Sequence, residues 1–133
     1  MQGTRTVLVV DDDEVLLRTL VRLLRGRWRV LAAAGGLEAL RVVEQETVDL
    51  VLSDFHMPVM TGAQLAGTLR GRGFTGAVAL FTAVPGDHRV QQALHLGEVC
   101  HVFPKACDTS ELVGGVERLL GMTQRPGAPL LGL

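Results

Sequence analysis

Lysine is almost missing from this 133-residue chain: twelve of its thirteen basic residues are arginine, and Lys105 stands alone. Thirteen basic against fourteen acidic residues leave a net charge of −1, which argues against a nucleic-acid-coating surface or a polybasic membrane anchor. Cysteine is scarce as well. Cys100 and Cys107 sit seven apart, fit no metal-ligand spacing and read as reduced thiols of a cytosolic protein. No segment approaches the roughly 18 uninterrupted apolar residues of a membrane span. The N-terminus lacks a basic stretch leading into an apolar run and a small-residue cleavage site, so no secretory signal is expected. Neither a Gly-x-Gly-x-x-Gly turn nor a Walker-type lysine loop follows the first apolar run, which disfavours nucleotide binding. Internal repeats and low-complexity tracts are absent too.

Apolar material, by contrast, is ample. Hydrophobic residues make up 47% of the chain and charged ones 20%, which excludes disorder for its bulk. A chain of this length forms one domain and buries roughly two-thirds of its unfolded surface. Three short runs end at a polar residue: Val7 to Val10 stops at Asp11, Leu50 to Leu52 reaches Ser53 and Asp54, and Val78 to Phe81 stops at Thr82. Short, non-alternating and partly β-branched, they read as strands buried on both faces of a parallel sheet. Trp28 to Ala32 and His101 to Phe103 are weaker strand candidates.

Helical spacing fills the intervals. Leu16, Leu20, Leu23 and Leu24 make one stripe, with Arg18, Arg22 and Arg25 opposite; Leu37, Leu40 and Val43 make a second. Ala63 to Leu69 is a third helix, weakened by Gly67. Val90, Ala93 and Leu94 mark a fourth, with Asp87 as N-cap, and Leu112, Val116, Leu119 and Leu120 a fifth, with its cap among Asp108 to Ser110. Strict strand–helix alternation predicts an α/β fold, and five units are too few for an eight-fold barrel, leaving an open doubly wound sheet. The domain is expected over residues 1–120. Residues 121–133, rich in Pro and Gly, are expected to form a flexible or loosely docked tail.

Ligands of such sheets bind beyond the carboxyl ends of the strands. Strand one delivers Asp11, Asp12 and Asp13 there, strand three Asp54 and strand four Thr82, and Lys105 follows strand five. Carboxylates about 5 Å apart repel by roughly 3 kcal/mol per pair at an effective dielectric of 20, so the cluster calls for a proton or a cation. Oxygen-only ligands suit a hard ion such as Mg²⁺. The plainer alternative, that Asp11 to Asp13 only cap the first helix, weakens when Asp54 arrives from another strand. A carboxylate in such a site can attack phosphorus and form an acyl phosphate. Thr82 then offers a hydroxyl, Ala83 a backbone N–H and Lys105 a compact ammonium to the transferring oxygens.

These residues bring out a resemblance. Val9-Val10-Asp11-Asp12-Asp13, the segment Leu52-Ser53-Asp54-Phe55-His56-Met57-Pro58-Val59-Met60-Thr61-Gly62, and Phe81-Thr82-Ala83 resemble the receiver domains of two-component response regulators, across about residues 5–120. The resemblance implies a flavodoxin-like sheet of order 2-1-3-4-5 with five helices, and Asp54 as phosphoryl acceptor. It implies Mg²⁺ (or Mn²⁺) held by Asp12 and Asp54 directly, by Asp11 through water and by the backbone carbonyl of His56. Thr82, Ala83 and Lys105 would complete the catalytic set. The His56 side chain, at the rim, and Val84 would tune the lifetime of the phosphoryl group.

The fifth strand departs from the family pattern, which has an aromatic residue three before a Lys-Pro pair. In His101-Val102-Phe103-Pro104-Lys105-Ala106-Cys107-Asp108, matching Lys105 requires one extra residue upstream and puts Ala106 in place of proline. The other match puts Pro104 at the lysine position and removes the cation; the first keeps Cys107 to Leu112 in register with the helix start. The switch residues would be Thr82 with His101 or Val102, neither of which is Tyr or Phe. Without proline the loop before Ala106 is expected to be trans.

By the same resemblance, the partners are a histidine kinase or histidine phosphotransfer protein, docking on helix one through Val15, Arg18 and Arg22, and a downstream protein. No direct nucleic-acid or membrane contact is implied, a homodimer on phosphorylation is possible, and the location is cytoplasmic. The signal would pass through the face made by helix 4, strand 5 and helix 5, without enzymatic turnover. Two rival readings stay open: a non-phosphorylated pseudo-receiver docking module and a small Mg²⁺-dependent phosphohydrolase. The second has His56 where such enzymes carry their acid/base carboxylate.

Overall fold

The computed structural model describes residues 4–122. Five strands, β1 (Thr6–Val10), β2 (Arg29–Ala33), β3 (Leu50–Asp54), β4 (Ala77–Thr82) and β5 (His101–Pro104), alternate with α1 (Glu14–Leu24), α2 (Gly36–Gln45), α3 (Gly62–Gly71), α4 (His88–His95) and α5 (Thr109–Gly121). All strand pairs are parallel, and the sheet order is β2-β1-β3-β4-β5. This is the doubly wound architecture expected from strand–helix alternation.

Every residue of β1, β3 and β4 is buried, because both faces of the sheet are covered. Period-two alternation divides them between two cores. Leu8, Val10, Val51, Val78 and Leu80 pack with Ala39, Leu40, Leu65, Leu69 and Val90 from α2, α3 and α4. Val7, Val9, Leu50, Leu52 and Phe81 pack with Leu20 and Leu24 of α1 and with Leu112, Val116 and Leu119 of α5. Gly115 permits the close approach of α5 to the sheet, since a Cβ there would run into the Phe103 ring.

Two expectations shift. The apolar face of α2 consists of Gly36, Ala39 and Leu40, with Val43 half-buried, while Leu37 is 54% exposed. Leu37 lies in the first turn of the helix, outside the buried set of Gly36, Ala39 and Leu40. At the other end of the chain, α5 continues through Gly121 with Met122 as its C-cap, so the first two residues of the expected 121–133 tail belong to the helix end. Residues 123–133 lie outside the described residues.

The helix starts follow side-chain chemistry. Asp13 accepts from the Val15 and Leu16 amides at 3.0 and 3.2 Å, and Asp108 accepts from the Glu111 amide at 2.8 Å. Thr61 and Gln64 form a reciprocal capping box at α3. Asp87 caps α4 by accepting from the Arg89 amide at 2.8 Å.

Candidate functional site

The capping pattern separates the three consecutive aspartates. Asp13 is the helix cap, and Asp11 and Asp12 are left to other work. Asp11 extends β1 inward and is 1% exposed, Asp12 turns outward, and Asp54 closes β3 at 7% exposure. Carboxylate oxygens of Asp11, Asp12 and Asp54 all lie within 4.8 Å of one another. Asp11 Oδ1 accepts from the Asp13 amide at 2.9 Å, but its Oδ2 is buried with no protein partner. Burial pushes the Asp11 carboxyl above its ordinary value; the Asp13 amide opposes this, Asp54 adds to it, Lys105 opposes it and Asp12 adds slightly. A buried oxygen without a donor, aimed among two more carboxylates, fits a hard divalent cation.

The cation the chain itself provides is Lys105. Its Nζ lies 3.1 Å from Asp54 Oδ1, with the side chain 31% exposed, and 5.9 Å from the centroid of the Phe81 ring. Its backbone amide donates to the Thr82 carbonyl at 2.9 Å, which ties the start of the β5–α5 loop to the end of β4. Of the two sequence registers considered for β5, this geometry agrees with the one that keeps Lys105 beside Asp54. Thr82 pairs with Pro104, one residue before it. All described peptide bonds, including the one before Ala106, are trans.

Thr82 is fully buried, and its Oγ1 accepts from the Val84 amide at 3.0 Å, leaving the hydroxyl hydrogen for another acceptor. Ala83 is exposed in the bend that follows. His56 is exposed too, its ring packed edge-on against Phe55 with centroids 4.8 Å apart. His101 and Val102 stand apart from this group, paired with Ala79 and Leu80 earlier along β4. His101 is exposed and leans on Phe103 with centroids 4.5 Å apart, whereas Val102 packs half-buried against the core under α2 to α4.

Some features of the site were not legible beforehand. A Cβ on Gly62 would collide with the Asp54 carbonyl and lie 2.8 Å from Leu80 Cδ2, so only glycine lets α3 start this close to the acceptor strand. Arg89 is gripped by Asp87 at 3.0 and 3.1 Å, and its guanidinium carbon lies 4.8 Å from the Phe55 ring centroid. The sequence signal for that stack was only an Arg two residues after a cap. Val59 has φ 72° with the Met60 amide donating across it to Pro58 O at 2.8 Å, a strained three-residue turn costing about 1–3 kcal/mol for a β-branched residue. A cleft of about 470 Å³ opens at the opposite edge of the sheet, between Leu40, Val48, Leu69 and Phe74. No candidate site residue lines it, and the chemistry of the carboxylate cluster outweighs its size.

The sequence matches the response regulator receiver domain family over residues 7–117. The chain belongs to this family. It is 30% identical over 117 residues to sporulation initiation phosphotransferase F of Bacillus subtilis, covering 86% of this chain and 92% of that protein. Other curated relatives are longer. The chain spans 14% of the length of a Haloferax volcanii transcriptional regulator, at 46% identity over 84 residues and 62% of this chain. It spans 44% of the C4-dicarboxylate response regulator DctR of Priestia megaterium, at 28% identity and 74% of this chain. Among solved structures, the signal receiver domain of an HD domain-containing protein from Pseudomonas fluorescens superposes with TM-score 0.84 at 27% identity, covering 91% of this chain and 90% of that one. The response regulator TrrA of Thermotoga maritima, in complex with Mg²⁺-BeF, superposes with TM-score 0.77 at 27% identity, covering 86% and 98%. No described helix is long and apolar enough to cross a membrane.

Proposed function

We propose that this chain receives a phosphoryl group on Asp54 from the phosphohistidine of a histidine kinase or histidine phosphotransfer protein. The observation that carries this reading is the Lys105 ammonium 3.1 Å from Asp54 Oδ1, beside a buried Asp11 oxygen that no protein group satisfies. Asp12 and Asp54 would hold Mg²⁺ (or Mn²⁺) directly, Asp11 through water, and His56 by its backbone carbonyl. When bound, the ion neutralises the carboxylates and draws charge from the transferring oxygens.

The Asp54 carboxylate attacks phosphorus as the P–N bond of the donor breaks. An acyl phosphate forms, and the electron pair returns to the imidazole. Lys105 then shifts its ammonium from the carboxylate to a phosphoryl oxygen, and the Thr82 hydroxyl and Ala83 N–H donate to the others. Water later cleaves the acyl phosphate to free phosphate and Asp54, so the chain is a phosphoacceptor with slow self-dephosphorylation and no turnover of a substrate. The exposed His56 and Val84 side chains would tune the rate of that step.

Val15, Arg18 and Arg22 on the outer face of α1 would meet the donor. The α4–β5–α5 face would pass the signal to a downstream protein in the cytoplasm or to a second copy of the chain. Full switching from 1:99 to 99:1 takes about 5.5 kcal/mol of differential interaction. His101 and Val102 take the place of the usual switch aromatic, and this is the one observation that favours the second reading, a docking module of the same fold that is not phosphorylated.

Incubation with Mg²⁺ and acetyl phosphate, followed by intact mass measurement, separates the two. The first reading expects a gain of one phosphoryl group that Asp54→Asn abolishes. No gain, with Mg²⁺ bound, leaves the docking module or a site that takes its phosphoryl group only from its own kinase, and transfer from a panel of phosphorylated kinase cores decides between them.

A further inference from the structure

The β4–α4 segment carries two of the groups that the transferring oxygens would meet, Thr82 and Ala83, yet its loop has little hold on its surroundings. Ala83, Val84 and Gly86 are exposed, and Pro85 has no amide hydrogen to donate. The hydrogen bonds of the loop run back into its own length. The Val84 amide donates to Thr82 Oγ1 at 3.0 Å, the Asp87 amide to the Val84 carbonyl at 3.0 Å, and Gln91 Nε2 to the Pro85 carbonyl at 2.7 Å. Such bonds fix the shape of the loop and leave its place beside the end of β3 to other contacts.

Arg89 supplies one. Its guanidinium carbon lies 4.8 Å from the centroid of the Phe55 ring, and Phe55 directly follows Asp54. That ring is fully buried, belongs to the same core as Leu65, Leu80 and Val90, and meets the His56 ring at its edge. The Phe55 carbonyl accepts from the Gly62 amide at 2.8 Å, so the ring and the backbone of this residue are both fixed. Asp87 holds the guanidinium from the other side. Its Oδ1 accepts from Nε at 3.1 Å and from the Arg89 amide at 2.8 Å, and its Oδ2 from Nη2 at 3.0 Å. Helix α4 has no need of this arginine. A cation in the first turn stands against the helix macrodipole, and the side chain is 51% exposed, so burial does not explain it either.

We infer that Arg89 is a positioning residue of the acceptor site: held by Asp87 and seated over Phe55, it straps the β4–α4 loop to the end of β3 and keeps Thr82 and Ala83 in place for transfer to Asp54. This rests on the reading of Asp54 as acceptor. In this role Arg89 touches no reacting atom. It acts because the Thr82 hydroxyl and the Ala83 amide help only where the phosphoryl oxygens arrive, and a small misplacement weakens both. A planar guanidinium suits the task, since its face lies on a ring while its edge bonds a carboxylate. A lysine ammonium does only one of the two at a time.

The test follows labelling by acetyl phosphate in Mg²⁺ over a range of donor concentrations, at a temperature well below the melting of every variant. A phosphorylated kinase core takes the place of acetyl phosphate if only a protein donor labels the wild-type chain. Arg89→Met keeps a stem over the ring and loses the guanidinium, and Asp87→Ser keeps a helix cap and loses the fork. Arg72→Met, which removes a similarly exposed ion pair to Glu44 at the amino edge, is the control. Arg89→Met should lower the maximal rate about tenfold while the half-saturating donor concentration stays within about twofold of wild type. Asp87→Ser should lose a similar factor, and the double variant should be no slower than either alone, because the pair acts as a unit. Arg89→Lys should not restore the rate. With no donor present, the amide resonances of Ala83 and Val84 should shift in Arg89→Met. A maximal rate at the wild-type value overturns the inference, as do loop resonances that stay in place. So does a rise in the half-saturating concentration alone, which would make Arg89 a contact of the donor. Losses that multiply in the double variant deny the clamp, and an equal loss in Arg72→Met reduces the effect to general charge; both overturn the inference. A wild-type chain that neither donor labels removes the acceptor reading itself, and the role of Arg89 with it.

Discussion

Two buried aspartates lie at opposite ends of the sheet, and the protein treats them differently. Asp49, at the amino edge, is 3% exposed; its Oδ2 accepts from the Thr6 amide at 2.8 Å, and Arg5 Nη1 lies 3.5 Å from Oδ1. Nearby, Arg70 donates to the carbonyls of Glu98, Phe74 and Gly76. Asp11, at the carboxyl edge, is just as buried and keeps one oxygen with no donor at all. The amino edge is closed upon itself, while the carboxyl edge is left chemically incomplete. A buried charge whose partners come from the chain serves the fold, and one whose partner must come from outside marks the place of function.

Substitution should expose this difference by its sign. Asp49→Ala strips the Thr6 amide of its acceptor and removes the carboxylate beside Arg5 Nη1. A loss of about 3 kcal/mol is expected, read as a fall of roughly 10 °C in melting temperature. Asp11→Asn goes the other way in metal-free buffer. The amide removes one of three clustered charges and donates where Oδ2 had no donor, so a gain of about 1 kcal/mol is expected. If both variants melt lower than wild type by similar amounts, the contrast between the two ends is lost.

Divalent cations sharpen the same contrast. Mg²⁺ at a hundred times its dissociation constant should stabilise the wild-type chain by about 2.7 kcal/mol. That gain should largely vanish in Asp11→Asn and survive in a partly destabilised variant such as Asp49→Asn. Calorimetry across a Mg²⁺ series reads both. Lys105→Met keeps the apolar stem and removes the ammonium, and it should slow labelling by acetyl phosphate about 100-fold. Because Lys105 is partly solvated, its effect on stability should be small by comparison. A Lys105 variant that labels at the wild-type rate would deny the ammonium its place in the reaction.

Legibility in the sequence follows the same physical divide. β1, β3 and β4 were readable because a strand covered on both faces writes itself as an unbroken apolar run. β2 and β5 lie at the sheet edges and mix exposed with buried positions, so the sequence supports them only weakly and placed β2 one residue early. Asp11, Asp12, Asp54, Thr82 and Lys105 could be gathered because the fold rule brings every strand's carboxyl end to one edge. The backbone of Val59 was hidden, since nothing in a valine announces a positive φ. The Arg89–Phe55 stack was equally hidden, because it joins two loops that only the tertiary structure brings together. The division of labour in Asp11-Asp12-Asp13 was implied only by the resemblance, which gives the ion to Asp11 and Asp12; strand and helix patterning left it open, because it depends on where α1 begins.

The smallest expected effect concerns carboxylates that serve neither end in the same sense. Asp87 and Asp108 cap α4 and α5 at the solvent surface. The side-chain hydrogen bond from Arg89, reinforced by its backbone amide, holds Asp87 at about 2. The Glu111 amide, then the Ser110 hydroxyl, lowers Asp108. For an acid whose folded value lies below the unfolded one, the unfolded chain binds more protons between the two. The stabilisation from each cap is therefore complete above an unfolded value of about 3.9, and it is lost as pH falls through the depressed folded value. Carboxyl resonances followed from pH 5 downward should show Asp87 titrating near 2, and Asp87→Asn should flatten the acid limb of the melting curve slightly. In Mg²⁺ this limb should not move for Asp87, since its partners are all supplied by the chain. The Asp11 resonance, in contrast, should respond to the ion. If Asp87 proved as sensitive to Mg²⁺ as Asp11, the line between a satisfied carboxylate and an incomplete one would have been drawn in the wrong place.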